Sequence, residues 1–233
     1  MIPDLKGIVI IVGNYGSGKT EVAINLAVVR QAEGVQVRIA DLDLVNPYFR
    51  TREARHQLQH LGIDVVIPPE QYLHADLPIL SPDVAAMIKQ PSPLTILDAG
   101  GDHVGANVLA ALADAFGNQP PQMLQVVNPY RPFTDTVAGC MQIRGEIEAV
   151  AKLRMTGIIG NANLMDETEV THIYEGHDFV QRFSEESGLP VSFITADADL
   201  MPNLDTDRLG CSILPIRRQL MPPWRRAVNL AAG

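Results

Sequence analysis

The chain reads Gly13-Asn14-Tyr15-Gly16-Ser17-Gly18-Lys19-Thr20 directly after the apolar run 7–12. The stretch matches the pattern G-x-x-x-x-G-K-[ST], whose glycines let consecutive backbone N–H groups curl round a phosphate. A helical pattern near 19–33 follows the loop, so a helix N-terminus adds its partial positive charge at the same point. This order of strand, loop and helix predicts an α/β fold with a phosphate-binding loop after the first strand.

The chemistry of this loop suits a nucleotide. Lys19 can reach the β and γ phosphate oxygens, and the hydroxyl of Thr20 can ligate Mg²⁺. All the residues from Gly13 to Thr20, together with the following Glu21, are therefore candidate ligands of the nucleotide. Glu21 also stands where a dinucleotide fingerprint needs its third glycine, and this excludes a dinucleotide-binding loop.

Short apolar runs alternate with longer helical patterns along the rest of the chain. Strands are expected near 7–13, 36–41, 63–67, 94–98, 122–127, 155–160 and 190–195. Helices are expected between them, near 19–33, 50–61, 81–90, 104–117, 134–152 and 168–187. The strands are apolar almost throughout, which indicates that both of their faces are covered. The pattern predicts a three-layer, doubly wound, mostly parallel sheet of about seven strands with helices on both faces.

The same pattern sets the expected domain organisation. It runs through residues 1–233 without a repeat or a low-complexity tract, so a single nucleotide-binding domain is expected. Prolines cluster between residues 67 and 93, and they disfavour a continuous crossover helix there. We interpret 67–93 as an elaborated surface connection, because the alternation resumes at Leu94.

Composition narrows the possible functions. The chain has 233 residues, a formal charge of −9 and a hydrophobic share of 46%. This share supports a buried core, and the acidic balance disfavours direct binding of nucleic acid or anionic membranes through bulk charge. Apolar runs stay well short of the roughly 18 residues that cross a bilayer. Two isolated cysteines, Cys140 and Cys211, suit a reduced compartment, so a cytoplasmic location is expected.

Carboxylates follow two of the apolar runs. Asp41 and Asp43 come after one run, and Asp98 ends another that continues into Gly101 and Asp102. Ligands of open α/β sheets lie at the carboxyl ends of the strands, and Asp at such an end is typical of a residue that holds Mg²⁺ directly or through water. The backbone N–H of Gly101 could sense a terminal phosphate.

These motifs resemble, in order and spacing, those of the MinD/ParA and nitrogenase-iron-protein class of P-loop ATPases. The resemblance implies that Lys19 and Thr20 bind phosphate and Mg²⁺, that Asp43 orients the attacking water, and that Asp98 is the Walker B carboxylate. It also implies a metal set of Thr20, Asp43 and Asp98, a second switch at Gly101 and Asp102, and adenine contact by Asn161. The implied cofactors are ATP and Mg²⁺.

The loop departs from that class at one position. The class usually has Lys directly after the first glycine, where it crosses a dimer interface, and this chain has Asn14. The variant loop resembles those of signal-recognition-particle and nickel-insertase GTPases, which read guanine with Asn-Lys-x-Asp. Here 161–164 reads Asn-Ala-Asn-Leu, so ATP is preferred to GTP. A nucleotide-dependent homodimer stays possible.

Three functions fit these features. The first is a Mg²⁺-dependent ATPase whose switch loops, 43–52 and 98–107, set its affinity for a protein partner. The second is a small-molecule kinase or ATP-dependent ligase, with 67–93 and Arg131 forming an acceptor pocket. The third is a nucleotide-binding regulatory protein with negligible turnover.

Two arginine-bearing segments allow either of two interpretations. Residues 46–52 could form a first switch in which Arg50 or Arg52 reaches phosphate, or a turn with solvated arginines. Arg131 lies among prolines after a strand, where it could hold an anionic substrate or belong to a rigid turn.

Overall fold

The computed structural model describes residues 3–43, 51–67, 82–101 and 103–220. Its strands form a single parallel sheet in the order β3-β2-β4-β1-β5-β6-β7-β8. Their bounds are β1 Gly7–Val12, β2 Val37–Leu42, β3 Asp64–Val66, β4 Leu94–Ala99, β5 Gln122–Val127, β6 Gly157–Gly160, β7 Val191–Asp197 and β8 Ile213–Ile216. The predicted doubly wound parallel sheet is confirmed, with one more strand than expected.

Helices cover both faces of the sheet. They are α1 Lys19–Ala32, α2 Arg55–His60, α3 Pro82–Lys89, α4 His103–Leu112, α5 Val137–Ala151, α6 Val170–Ser187 and α7 Thr206–Leu209. Short 3₁₀ turns lie at Thr51–Ala54, Ala113–Phe116, Met165–Glu167 and Met201–Asn203. Apolar residues of α1 and α2 belong to one core cluster, and those of α3 to α7 belong to the other. The protein is therefore three-layered, as predicted.

The central strand β1 shows why the sequence reads as continuously apolar. Ile8, Ile10 and Val12 face the α3–α7 side, whereas Val9 and Ile11 face the side of α1. Successive side chains of a strand point to opposite faces, so a strand buried on both sides needs apolar residues at every position. β1 thereby holds the loop that follows it in the middle of the sheet.

The strand that the sequence analysis missed is β8. It has 4 residues, and Pro215 lies inside it. Proline cannot donate a ladder hydrogen bond, which confines it to sheet edges, and β8 is an edge strand paired only with β7 among the described strands. Its brevity and its proline removed the apolar run that would have predicted it.

Parallel strands bring the ends of many loops to one edge of the sheet. In the register of β2 and β4, Asp41 is the direct neighbour of Asp98. The chain order reverses on the two sides of β1, and such a point is where open α/β sheets bind ligands.

Within the described residues, no helix is long and apolar enough to span a membrane.

Parts of several predictions fall outside the described residues. These are 44–50 of the first predicted switch, 68–81 of the connection at 67–93, and Asp102. Within 67–93, the described residues include helix α3.

Candidate nucleotide-binding site

The loop between β1 and α1 has the backbone of an anion cradle. Gly16 and Gly18 have φ values of 75° and 88°, in the left-handed region that glycine tolerates best. A side chain at Gly18 would also meet the Asn161 amide nitrogen at 2.3 Å. Gly18 caps α1, and no side chain caps the N–H groups of its first turn. Those N–H groups suit a phosphate, which is the ligand that the sequence predicts.

The end of β4 packs directly on this loop. A Cβ at Gly101 would lie 1.6 Å from the carbonyl oxygen of Gly13, so only glycine allows this approach. Gly101 therefore lies beside the loop, where the sequence analysis expects a phosphate sensor.

Lys19 and Asp43 form a buried ion pair. The Lys19 Nζ lies 3.2 Å from the Asp43 Oδ2, and the two side chains are 6% and 4% exposed. Coulomb attraction is strong where water is excluded, so this pair holds the lysine against the end of β2. The two residues predicted to be catalytic thus contact each other.

Asp98 accepts hydrogen bonds from two threonines. Thr20 Oγ1 donates to its Oδ1 at 3.3 Å, and Thr51 Oγ1 donates to its Oδ2 at 2.8 Å. Burial, reinforced by the charges of Asp41 and Asp43, raises the pKa of Asp98 to about 7 against the opposing effects of Lys19 and Thr51. The hydroxyl of Thr20 and the carboxylate of Asp98 are oxygen donors of the kind that Mg²⁺ prefers.

The structure brings the members of the predicted metal set close together, and the set stays a prediction. Thr20 and Asp98 lie in contact, and Asp43 is close enough for its charge to act on Asp98. Across residues 3–43, 51–67, 82–101 and 103–220, no three His, Cys, Asp or Glu side chains are grouped so that they could hold a metal. Thr20 and Asp98 are thus the residues that fit Mg²⁺.

Arg52 is tied to the carboxylates at the end of β2. Its Nε donates to Asp41 Oδ2 at 2.7 Å, its backbone N–H donates to the same oxygen at 3.1 Å, and its Nη2 donates to the carbonyl oxygen of Asp43. Arg52 is therefore not a solvated arginine, which was one of the two interpretations that the sequence left open. The side chain holds the segment that starts at Thr51 beside the loop.

Asn161 supports the loop through both ends of its amide. Its Nδ2 donates to the carbonyl oxygen of Ser17 at 2.6 Å, and its Oδ1 accepts from Thr195 Oγ1 at 2.5 Å. The residue is 4% exposed and also lines the cavity beside the loop. The sequence analysis assigned it to adenine contact, and the structure gives its amide protein partners at both ends.

Glu21 connects the loop to the segment after β8. Its carboxylate accepts N–H groups from Gln219 and Leu220 and an amide N–H from Asn25. Burial raises the pKa of Glu21 to about 7, although these three donors act in the opposite direction. The geometry therefore points to a tether between α1 and residues 219–220.

A cavity of about 300 Å³ opens beside the loop. Among the predicted ligands, its lining includes Tyr15, Gly16, Gly18, Lys19, Thr20, Glu21 and Asn161. Other lining residues come from the ends of further strands: Asn128, Arg131, Asn163, Met165, Asp197, Ile216, Arg218 and Leu220. A volume of this size is at the lower end for small-molecule and cofactor sites, and this cavity runs along the loop.

Asn14 and Ser17 supply the remaining polar side chains of the loop. Asn14 Nδ2 donates to the carbonyl oxygen of Pro132 at 3.0 Å, and Asn14 Oδ1 accepts from the backbone N–H of Tyr15. Ser17 has a buried hydroxyl without a hydrogen-bond partner among the described residues. Asn14 thus ties the loop to the turn after β5.

Several solved structures are similar to this chain. The chain is similar to the cell division protein FtsY of Thermotoga maritima, with 21% identity and a TM-score of 0.57 over 83% of this chain and 63% of that one. It is also similar to chloroplast FtsY of Physcomitrella patens, with 21% identity and a TM-score of 0.55 over 82% and 59%. Signal recognition particle 54 kDa protein from Aeropyrum pernix, in complex with GDP, gives 19% identity and a TM-score of 0.53 over 83% and 42%.

These likenesses decide the fold. The chain has the P-loop nucleoside-triphosphatase fold. It spans less than two thirds of the length of these structures. Neither protein families nor curated proteins give a match to the sequence. At this level of identity the likeness shows the fold, and the resemblance to the MinD/ParA class stays a prediction.

Sequence reasoning missed several residues of this site. Thr51 and Thr195 act through contacts with Asp98 and Asn161, which are far away along the chain. No local motif marks them. Asp197 carried a weak signal, since it ends β7, whereas Arg218 follows β8, which was not predicted.

Proposed function

We propose that this protein binds ATP with Mg²⁺ at the loop 13–20 and hydrolyses it as a switch that controls contact with a protein partner. The proposal rests on two carboxylates that connect the loop 13–20 to the predicted switch 43–52. Asp43 pairs with Lys19, and Asp98 accepts from both Thr20 and Thr51. Any ligand that attracts Lys19 and Thr20 alters the contacts that hold residues 43 and 51.

The side chains of the loop have defined tasks in this proposal. Lys19 leaves Asp43 and binds the oxygens of the terminal phosphates, where it offsets the charge that develops during transfer. Thr20 and Asp98 would hold Mg²⁺, which would supply positive charge against that of the phosphates. Asp43 orients the attacking water once Lys19 has moved to the phosphates.

Release of Asp43 gives the switch its physical basis. Arg52 donates to the carbonyl oxygen of Asp43 and to the carboxylate of Asp41, so these residues move as a connected group. Thr51 belongs to the same segment and contacts Asp98. Differential contacts in two nucleotide states are what a population shift requires. The surface that this segment presents would differ between the triphosphate and diphosphate states.

ATP is the proposed nucleotide because of residues 161–164. Guanine recognition by an Asn-Lys-x-Asp motif places a carboxylate at the fourth position, and this chain has Leu164 there. An apolar side chain at that position offers no acceptor to the N–H groups of guanine.

Phosphate release measured with ATP, with GTP and with EDTA tests the proposal. We expect Mg²⁺-dependent release with ATP, a weaker response to GTP, and none after chelation. A preference for GTP would overturn the choice of base while leaving the site assignment intact. Tight ATP binding without phosphate release would instead identify a nucleotide-binding regulatory protein.

The partner side of the proposal needs a separate measurement. Light scattering during size-exclusion chromatography, with ADP and with a non-hydrolysable ATP analogue, tests for a nucleotide-dependent homodimer. We expect the two nucleotides to give different results. Either the molar mass of the protein changes, or the protein retains a partner from a cell extract in one nucleotide state and not in the other. Identical behaviour in both states would contradict a switch.

A further inference from the structure

The turn after β5 holds Arg131 in a fixed place. The backbone N–H of Arg131 donates to the carbonyl oxygen of Asn128 at 3.2 Å. Thr134 Oγ1 donates to that same oxygen at 2.8 Å, and the backbone N–H of Thr134 donates to the carbonyl oxygen of Arg131. Phe133 has a φ of 70°, a strained value for a residue with a side chain. The turn is therefore rigid, as one of the two sequence interpretations expects.

The side chain of Arg131 lies against the phosphate-binding loop. A Cβ at Gly16 would be 3.8 Å from Arg131 Cδ and 3.9 Å from its Nε, and Arg131 lines the cavity. The hydrogen bond from Asn14 to Pro132 fixes the distance between loop and turn. Two independent contacts thus keep this guanidinium at the middle of the loop.

Within the described part of the chain, Arg131 differs from the other cations of the cavity in having no carboxylate partner. Lys19 pairs with Asp43, and Arg218 pairs with Asp166 at 2.8 Å. Among the described residues, Arg131 has no carboxylate partner, and its Nε is buried without a hydrogen-bond acceptor. A buried, unpaired N–H of a cation is costly, and an anion in the cavity would remove that cost.

We propose that Arg131 binds the polyphosphate of the nucleotide from within the same chain. The inference rests on the proposed nucleotide site. Gly16 lies in the stretch of the loop that faces phosphate, and a guanidinium fork matches phosphate oxygens in geometry and charge. Asp197, Arg218 and Leu220 line the same cavity from the ends of the last strands. The arginine therefore adds a fixed positive charge to that of Lys19.

Equilibrium binding of ATP, ADP and inorganic pyrophosphate to three variants tests this inference. Arg131→Ala removes the charge and the fork, Arg131→Lys keeps the charge alone, and Arg154→Ala is the control. Arg154 is 86% exposed and pairs with Glu148, away from the cavity. We expect Arg131→Ala to weaken all three ligands by about tenfold or more, as loss of a charge-assisted hydrogen bond does. Arg131→Lys should lose less, and Arg154→Ala should bind like the wild type.

The outcomes separate this inference from the proposed function. If the wild type binds all three ligands and Arg131→Ala binds them equally well, the arginine has no phosphate contact and the nucleotide site still stands. If Arg131→Ala weakens ATP while pyrophosphate binding is unchanged, the arginine contacts the nucleoside and the inference is wrong. If the wild type binds none of the three, the proposed function fails and this inference fails with it. Thermal unfolding checks that each variant is folded, and Arg131→Gln replaces Arg131→Ala if the alanine variant is not.

Discussion

The Lys19 Nζ lies 3.2 Å from the Asp43 Oδ2, so the lysine of the phosphate-binding loop is neutralised by a carboxylate at the end of β2. A triphosphate must compete with that carboxylate for the lysine. In the proposed function, binding and switching are therefore coupled through this ion pair. The arrangement makes the behaviour of Asp43 variants diagnostic.

Asp43→Asn removes the competitor and, in our proposal, the residue that orients water. We expect ATP affinity to rise by about five- to tenfold, as loss of about 1 kcal/mol of competing attraction would produce. Phosphate release should fall by at least about a hundredfold, the usual contribution of a positioned base. Titration calorimetry and single-turnover release measure the two quantities. Release at the rate of the wild type would exclude a catalytic role for Asp43.

Thr51→Val removes one of the two hydroxyl donors to Asp98 and leaves Thr20 in place. A buried carboxylate that loses a hydrogen bond costs about 1–3 kcal/mol, so the free energy of unfolding should fall by that amount. Hydrogen exchange at residues 51–54 should become faster, because their link to β4 is lost. Thr206→Val is the matched control, since Thr206 is exposed at the start of α7. Equal exchange rates at residues 51–54 in both variants would show that the hydrogen bond from Thr51 to Asp98 does not hold this segment.

Asn161→Ala distinguishes support of the loop from recognition of adenine. If Asn161 acts through the carbonyl oxygen of Ser17, its loss loosens the loop and weakens ATP and GTP by the same factor. A residue that reads adenine would weaken ATP alone. We expect the common effect, with a loss of about 1–3 kcal/mol in the free energy of unfolding. Competition between the two nucleotides measures this effect, and a selective loss of ATP binding would confirm the adenine contact predicted from the sequence.

Glu21 gives the site a pH dependence of known sign. Burial raises the pKa of Glu21 from an ordinary 4.5 to about 7 in the folded protein, so between these pH values the folded state binds more protons than the unfolded state. The contribution of this group to stability therefore falls as pH rises through that window, by at most about 1.4 kcal/mol per pH unit.

Glu21→Gln removes this titration while keeping an acceptor oxygen. The free energy of unfolding of the variant, relative to that of the wild type, should rise as pH increases from 5 to 7. Urea unfolding of both proteins across that range measures the difference. Parallel pH profiles would show that Glu21 titrates normally.

Most residues of the candidate site could be predicted from short sequence motifs. The loop 13–20 and the carboxylates Asp43 and Asp98 are recognisable because glycine spacing and strand ends are written in short stretches of chain. Lys19 and Thr20 follow from the same motif. The parallel sheet followed from apolar runs that need cover on both faces.

What the sequence did not reveal depends on contacts between distant segments. The position of Glu21 next to the loop suggested a ligand, whereas its hydrogen bonds lead to Gln219 and Leu220. Asn161 changed interpretation for the same reason, since its amide contacts Ser17 and Thr195. Such contacts depend on the order of the strands in the sheet. The last strand, β8, was not predicted because Pro215 interrupts its apolar run.

The central claim is that Lys19 and the loop around it bind the phosphates of ATP. Titration calorimetry of a non-hydrolysable ATP analogue with Mg²⁺ against the wild type, Lys19→Ala and Lys89→Ala tests it most directly. Lys89 is exposed at the end of α3 and controls for the loss of one positive charge. We expect Lys89→Ala to bind like the wild type and Lys19→Ala to lose about a hundredfold or more in affinity. Undiminished binding by Lys19→Ala would contradict the account.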